Sequence, residues 1–261
     1  MSAVAAWGAL LQRDLRAVAR SRSQLYSSIL FPLILLAVIG TGVSEGLEPS
    51  RVRDGDYESF LVPGVVAMTV LFAATFSSAS YYQDRDSGLL RVLLASPHEP
   101  WVILGGKALG GVTLGCLQAL AVLGIAAAIP GIELDWQYGP VAGLALALVA
   151  LVLLALLLNG FAQLLATRIR TMQGFHLVMN LLLFPLLLFS GAFFPIDDLP
   201  GWLRALAYAN PITYAVDLLR VAVYADGTDG LIGAPVDVAV LGALALVLFA
   251  VGLRRQQTYQ W

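Results

Sequence analysis

The sequence predicts an all-α integral membrane protein with six transmembrane helices. Of its 261 residues, 59% are hydrophobic and 12% are charged, against roughly 45–50% and about 25% in an average soluble domain. The mean hydropathy is +0.82, and six apolar runs can each cross a hydrocarbon core about 30 Å thick. So little charge argues against a water-soluble enzyme, because it cannot cover a globule of this size.

The six apolar runs divide the chain into three parts. They cover residues 25–43, 60–82, 108–130, 140–166, 174–194 and 231–253. All are rich in Leu, Ala and Val and lack the polar–apolar alternation of a membrane barrel strand, so we expect helices. Residues 1–24 then form an N-terminal cytoplasmic segment, residues 25–253 the transmembrane domain, and residues 254–261 a cytoplasmic tail.

Lys and Arg predict the orientation, because cytoplasmic loops carry an excess of both. Eleven of the 15 lie in the N-terminal segment, the loops 83–107 and 167–173, and the C-terminal tail. Four lie in the opposite loops, residues 44–59, 131–139 and 195–230. We therefore expect a multi-pass membrane protein with both termini in the cytoplasm.

The N-terminal segment is amphipathic. At 100° per residue one face carries Trp7, Leu11, Leu15 and Val18, and the opposite face carries Arg13, Arg16 and Arg20. This pattern predicts a helix in the cytoplasmic membrane interface, with its cations at the anionic headgroups. The alternative is a solvated leader before the first span.

The longest cytoplasmic loop, residues 83–100, predicts a short helix with an apolar side. Leu89, Leu90, Leu93 and Leu94 form that side, and Pro97 ends the helix. A leucine-rich helix outside the bilayer must be covered. It folds back on the membrane interface or inserts into a groove on a cytoplasmic partner, and composition leaves both open.

Residues 191–224 predict two short helices separated by Asn210 and Pro211. Both are too short to span and too apolar to lie in water, which fits re-entrant or interfacial helices at the outer leaflet. On the second helix Asp217 and Arg220 are three residues apart and are predicted to pair.

Catalytic and ion-coupling motifs are missing from the sequence. It has no GxxxxGK[ST] phosphate loop, no HExxH and no CxxC, and its two histidines lie in different regions. The net charge of −2 argues against a nucleic-acid partner. The deep parts of all six spans lack charged residues and histidine, so an ion-coupled carrier is disfavoured. We expect no enzyme, metal or bound cofactor, and active transport would need an external energy source.

A few polar and aromatic residues stand out within the spans. The polar ones are interpreted either as helix–helix hydrogen bonds or as a polar patch on a substrate path. The candidate path residues are Phe72, Thr75, Phe76, Asn159, Asn180 and Phe184.

Two of these segments carry a family resemblance. The loop pattern comprises Asp86, Gly88, Leu90, Leu93, Leu94, Ser96 and Pro97, and the later segment comprises Gly191, Pro195, Pro200, Trp202, Asn210, Pro211, Tyr214, Asp217 and Arg220. With them the chain resembles the permease subunit of bacterial ABC-2 exporters of the daunorubicin-resistance multidrug type. It departs from the loop pattern in Arg91, where an acidic residue is usual, and in Ser96, where threonine is usual.

The resemblance implies a type V exporter in the inner (plasma) membrane of a bacterial cell. The N-terminal helix would be the connecting helix, and the loop, Leu89 included, would be the coupling helix that docks on an ABC ATPase subunit. A second permease subunit, identical or homologous, would complete the transporter, with ATP and Mg²⁺ on the ATPase partner. The cargo would be a hydrophobic or amphipathic drug, antibiotic or lipid moved outward.

Two other functions are weighed beside this one. A permease for polysaccharide or lipid-linked glycan belongs to the same family but tends to show an aromatic belt that the spans lack. A passive channel or membrane assembly protein belongs to another class and would need no ATPase.

Overall fold

The structure of the protein is a computed structural model that describes residues 3–44, 57–89, 92, 100–132, 134–136, 138–166, 168–169, 171–224, 231 and 233–258. The helices in this part of the chain are α1 (Ala3–Arg20), α2 (Arg22–Ser44), α3 (Tyr57–Asp86), α4 (Pro100–Ala126), α5 (Gly139–Ala166), α6 (Met172–Leu188), α7 (Gly201–Ala209), α8 (Pro211–Val223) and α9 (Ala234–Thr258). A 3₁₀ turn at Ile196–Asp198 precedes α7. The described residues contain no strand, which confirms the all-α membrane class.

Five of these helices are long and apolar enough to cross a membrane. The apolar stretches are Leu25–Gly42 in α2, Tyr57–Asp86 in α3, Trp101–Ala126 in α4, Gly139–Ala166 in α5 and Ala234–Gly252 in α9. The remaining apolar helix, α6, has 17 residues. It corresponds to the predicted run 174–194 but ends at Leu188.

The early end of α6 has a backbone cause. Phe189 caps the helix, and Gly191 follows with φ of 78°, a left-handed conformation in which a helix cannot continue. Other boundaries also differ from the predicted ones. α4 runs from Pro100 to Ala126, whereas the predicted run covers residues 108–130. α3 extends beyond residues 60–82 at both ends, and α9 runs on to Thr258, so part of the predicted tail is helical.

α3 is the central helix of the bundle. It packs against α2, α4, α5, α6 and α8, and Leu61, Val65 and Met68 on it are completely buried. α2 and α9 lie at the periphery, where α9 packs on α5 and α8. A movement of α3 therefore changes its packing against α2, α4, α5, α6 and α8.

Small residues let the helices approach closely, as in many membrane bundles. A Cβ on Gly111 of α4 would lie 2.2 Å from Asn159 Oδ1 of α5, and a Cβ on Gly64 of α3 would lie 2.5 Å from the carbonyl oxygen of Ala192. Side chains at either position would push the elements apart.

The bundle has two ends that carry the polar structure. At the α1 end, α1 meets the last turn of α3 and the first turns of α4. At the opposite, α8 end, α8 meets the first turn of α3 and the segment that leads into α9, and α7 packs on α8. The two motifs of the sequence analysis lie at opposite ends.

Candidate functional site

A buried cluster of charges, the joint, holds the α1 end together. Arg13 Nη2 of α1 lies 2.8 Å from Asp14 Oδ1 and 3.0 Å from Asp84 Oδ2 of α3. Lys107 Nζ of α4 forms an ion pair with the same Asp84 oxygen and lies 3.4 Å from Ser80 Oγ. Asp84 thus links three helices, and the joint is defined as Arg13, Asp14, Asp84 and Lys107.

The joint contains two positive and two negative side chains, so every buried charge in it has a counter-charge. Asp14, Asp84 and Lys107 are 7–8% exposed, and removing one partner would leave an uncompensated buried charge. Burial works to lower the pKa of Arg13, but its hydrogen bonds to Asp14 and Asp84, and their charges, outweigh burial and raise that pKa. Arg13 therefore remains a cation across the physiological range.

α1 packs along the start of α4, and this corrects the prediction that all three of its arginines face headgroups. Trp7 Nε1 donates to the carbonyl oxygen of Val102 at 2.8 Å, and the Trp7 and Trp101 rings meet edge to face at 5.9 Å. Arg16 and Arg20 are exposed, as expected, whereas Arg13 turns into the protein. The helical periodicity of the N-terminal segment could not reveal this contact, because Asp84, the acidic partner of Arg13, is 71 residues away in the sequence.

The loop after α3 begins with a sharp turn. Gly88 has φ of 75°, and its amide donates to the carbonyl oxygen of Arg85 at 3.1 Å, a left-handed termination of α3. Beyond this turn the Val92 amide donates to the Gly88 carbonyl oxygen at 3.4 Å. Leu89 and Val92 are 37% and 68% exposed, which leaves an apolar surface directly beyond α3.

Three of the eight predicted coupling residues are described. Asp86 is exposed and lies 3.4 Å from Arg85 Nε, and Gly88 and Leu89 form the turn. The other five, Leu90, Leu93, Leu94, Ser96 and Pro97, lie outside the described residues.

At the α8 end, Gly191 and Arg220 of the second motif are in contact. Arg220 Nη2 donates to the Gly191 carbonyl oxygen at 3.0 Å, and its guanidinium carbon lies 4.3 Å from the centre of the Phe60 ring, a cation–π distance. Asp217 Oδ2 accepts from the Leu231 amide at 2.7 Å. The predicted pair of Asp217 and Arg220 retains a favourable electrostatic interaction. Each of the two side chains also has a hydrogen bond to a backbone group, Asp217 with the Leu231 amide and Arg220 with the Gly191 carbonyl oxygen.

The break between α7 and α8 is a hydrogen-bonded corner. Asn210 caps α8 by accepting from the Ile212 amide at 3.0 Å and donates through Nδ2 to the Leu186 carbonyl oxygen. Pro211 occupies the first helical position, where its missing N–H costs nothing. Tyr214 donates to the Tyr208 carbonyl oxygen at 2.7 Å.

Three further residues of the same motif, Pro195, Pro200 and Trp202, are partly or fully exposed. Pro195 precedes the 3₁₀ turn and Pro200 precedes α7. Trp202 is 68% exposed, so it is available to lipid or to another chain.

The six candidate path residues fall into separate places. Thr75 and Asn159 are buried and bond to carbonyls of their own helices, at Leu71 and Ala155. Phe72 packs edge to face with Phe31 at 5.7 Å. Asn180 and Phe184 are exposed on α6.

Phe76 alone of the six lines a large cavity. The cavity has a volume of about 360 Å³, lies at the α1 end, and is lined by residues from α1, α2, α3, α4 and α6. Ser77, Ser80, Gln83 and His176 give it polar walls, so it offers both aromatic and hydrogen-bonding contacts.

Sequence reasoning missed Asp14, Asp84 and Lys107 of the joint, and it missed the tyrosines that connect α3 to the α8 end. Tyr57 donates to the Phe193 carbonyl oxygen at 2.9 Å, and Tyr224 donates to that of Ser59. One signal was present in the sequence: Asp14 lies between Leu10 and Val18 at four-residue spacing, a carboxylate on the stripe that becomes buried.

Comparison with known proteins gives a consistent family. The sequence profile of the ABC-2 type transporter family matches residues 5–224. The chain is 34% identical over 168 residues to the probable multidrug ABC transporter permease YbhR of Escherichia coli (strain K12), covering 63% of the chain and 44% of YbhR. It therefore spans less than half the length of that relative.

Two further relatives are transport permeases. The putative transport permease ycf38 of Cyanophora paradoxa is 30% identical over 199 residues, covering 75% of the chain and 66% of ycf38. The inner membrane transport permease YadH of Escherichia coli (strain K12) is 28% identical over 204 residues, covering 76% of each chain.

Proposed function

Since this chain is a permease subunit and belongs to the ABC-2 type transporter family, we propose that it is the membrane half of an ATP-driven exporter of hydrophobic or amphipathic molecules. The observation that carries the proposal is the exposed apolar turn of Leu89 and Val92, seated directly on α3 beside the joint. ATP and Mg²⁺ would be bound by a separate ABC ATPase subunit, because the sequence has no phosphate loop of its own.

The joint supports a route for mechanical coupling. An ATPase bound to the turn would displace the last turn of α3, which carries Asp84. Arg13 and Lys107 on that carboxylate tie α1 and α4 to the same movement. Because α3 is the central helix, a displacement at its end changes the packing of the bundle around it.

The interior supports an uncharged or amphipathic cargo. No Asp, Glu, Lys, Arg or His occurs in the deep part of the spans, so an ion would find no partner there. The cavity at Phe76 lies at the α1 end, outside the deep part of the spans, and offers aromatic, hydroxyl, amide and imidazole contacts together with the Asp14 carboxylate of the joint. This mixture suits the polar head of a lipid-like molecule entering from the inner leaflet.

An exposed face of α6 supports a second permease subunit in a type V arrangement. Leu177, Leu181 and Phe184 on this face are 48–69% exposed. Asn180 lies on the same face, and an amide facing lipid is costly unless another chain supplies a partner. The partner is an identical or homologous permease.

The experiment is co-purification with the ATPase subunit, together with vanadate-sensitive efflux in vesicles containing both. We expect Val92→Asp, and the double variant Leu93→Asp with Leu94→Asp, to reduce co-purification roughly tenfold or more and to abolish efflux. Val141→Asp is the matched control, because Val141 is 85% exposed but lies at the α8 end. Unchanged co-purification and efflux in the first two variants would contradict the proposal.

A further inference from the structure

Asp237 in the first turn of α9 is a completely buried carboxyl group with an unusual neighbour. It is 0% exposed, and neither of its oxygens has a hydrogen-bond donor among the described residues. Among the described residues, a second carboxyl lies within hydrogen-bonding reach of it: that of Asp217 on α8, which packs on α9 and where Asp217 is 3% exposed. Two buried acidic side chains therefore face each other between α8 and α9.

The two carboxyls differ in their other contacts. Asp217 accepts from the Leu231 amide at 2.7 Å, and Arg220, one turn along α8, contributes a positive charge to it. Asp237 has neither an amide donor nor a cation in the described part of the chain. The surroundings thus stabilise a negative charge on Asp217 and provide nothing for one on Asp237.

Ionised carboxylates are acceptors only, so a hydrogen bond between them requires a proton on one. Two buried negative charges in contact also repel strongly, and such pairs hold a single proton. We propose that Asp217 and Asp237 form a proton-binding site, in which Asp237 is a neutral carboxylic acid that donates its O–H to the Asp217 carboxylate.

A proton fits this site better than a metal ion. The Leu231 N–H points at the Asp217 carboxylate, and Arg220 adds positive charge beside it, which repels a second cation. Two carboxylates also supply too few oxygens for a hard cation such as Ca²⁺ or Mg²⁺.

In the described part of the chain, other titratable groups lie on the elements around the pair. On α8 they are Arg220, Tyr214 and Tyr224, and the two tyrosine hydroxyls donate to the carbonyl oxygens of Tyr208 and Ser59. On α3, which packs on α8, they are Tyr57, whose hydroxyl donates to the Phe193 carbonyl oxygen, and Glu58, whose side chain lies against Gly40 of α2. On α7 the charge is Arg204, which donates to the Asp197 carbonyl oxygen. The neighbouring α5 has no charged residue, and the one charge on α4, Lys107, belongs to the joint at the opposite end. From Val238 to Gly252, α9 has no ionisable side chain. The proton therefore exchanges locally and does not cross the membrane through α9.

Ionising Asp237 places two negative charges in contact, so rising pH weakens the attachment of α8 to α9. Infrared spectroscopy of the purified full-length chain detects a protonated carboxyl through its carbonyl stretch. We expect this band at neutral pH, its loss as the pH rises, and its loss in Asp237→Asn. The matched control is Asp197→Asn, an exposed aspartate, which should retain the band.

Absence of the band from the wild type at neutral pH would overturn the proposal, as would a band unchanged in Asp237→Asn. Removal of the band at constant pH by added Ca²⁺ or Mg²⁺ would also overturn it, since the site would then bind a metal. As a second readout, the thermal midpoint of the wild type should fall with rising pH, while that of Asp237→Asn, whose amide still donates to Asp217, should fall less. Equal pH dependence in both would contradict the proposal.

Discussion

Gly191 shows how a single backbone conformation shapes the α8 end. Its φ of 78° lies in the left-handed region, and an added Cβ would lie 2.9 Å from the Ile196 side chain. We expect Gly191→Ala to lower the free energy of unfolding by about 1–3 kcal/mol, as measured by thermal unfolding in detergent. Gly124→Ala is the control, because its Cβ would meet nothing within 4 Å. Equal stability of the two variants would contradict this account.

Asp84 is the residue on which the joint depends. Replacing it with Asn leaves Lys107, 7% exposed, without its counter-charge, and we expect a loss of about 3–5 kcal/mol in stability. Asp86→Asn is the control: its side chain is 68% exposed, so the change should stay within about 0.5 kcal/mol.

A second substitution separates lost charge from lost packing in the joint. Lys107→Met in the Asp84→Asn background removes the orphaned ammonium and keeps a side chain of similar length. Thermal unfolding should then show recovery of part of the lost stability. If the double variant is no more stable than Asp84→Asn alone, ion pairing is not what Asp84 contributes.

At the scale of single residues, the sequence predicts contacts well when the two partners lie close together in the chain. Asn210, Pro211 and Tyr214 act within a few residues of themselves, and the predicted break lies where the structure has its corner. Arg13 was placed wrongly, because its partner Asp84 is distant in sequence and adjacent only after α1 has packed on α4.

Among the elements, α8 depends most clearly on its first residue. The Asn210 side chain satisfies the Ile212 amide and reaches back to the Leu186 carbonyl oxygen of α6. We expect Asn210→Ala to cost about 1–2 kcal/mol and to increase hydrogen exchange at the start of α8. Asp135→Ala, at an exposed loop residue before α5, is the control. Identical exchange in the two variants would rule out a capping role.

Helices long enough to span were predicted well, because a continuous apolar run is nearly sufficient to specify one in a bilayer. The run 174–194 was the exception. Composition remains apolar through Phe193 and Phe194, so a hydropathy window cannot detect the left-handed glycine that stops α6. Short helices such as α7 were recognised through Pro and Asn rather than through hydropathy.

For the whole molecule, the two ends should lie on opposite sides of the membrane. Replacing the single cysteine, buried Cys116, with Ser gives a background for labelling. We expect a cysteine at Asp135 to react with an impermeant maleimide in intact cells, and a cysteine at Arg168, in the loop between α5 and α6, to react only after permeabilisation. Both positions are exposed, so access is decided by the membrane alone.

Labelling of both positions from the same side would contradict the arrangement of the helices, and exchange of their accessibilities would reverse the orientation predicted from Lys and Arg. A cysteine at Val141, 85% exposed in the first turn of α5, provides an independent check at the α8 end. It should behave as the Asp135 position does.

The shortness of α6 links the permease to the lipid around it. Its 17 residues measure about 26 Å at 1.5 Å per residue, a few ångströms less than an average hydrocarbon core. If α6 crosses the bilayer, as the sequence predicts, this negative hydrophobic mismatch would draw the surrounding leaflets together. Phospholipids with shorter acyl chains should therefore relieve this deformation, and bilayer thickness becomes a physical variable that sets how easily the bundle rearranges.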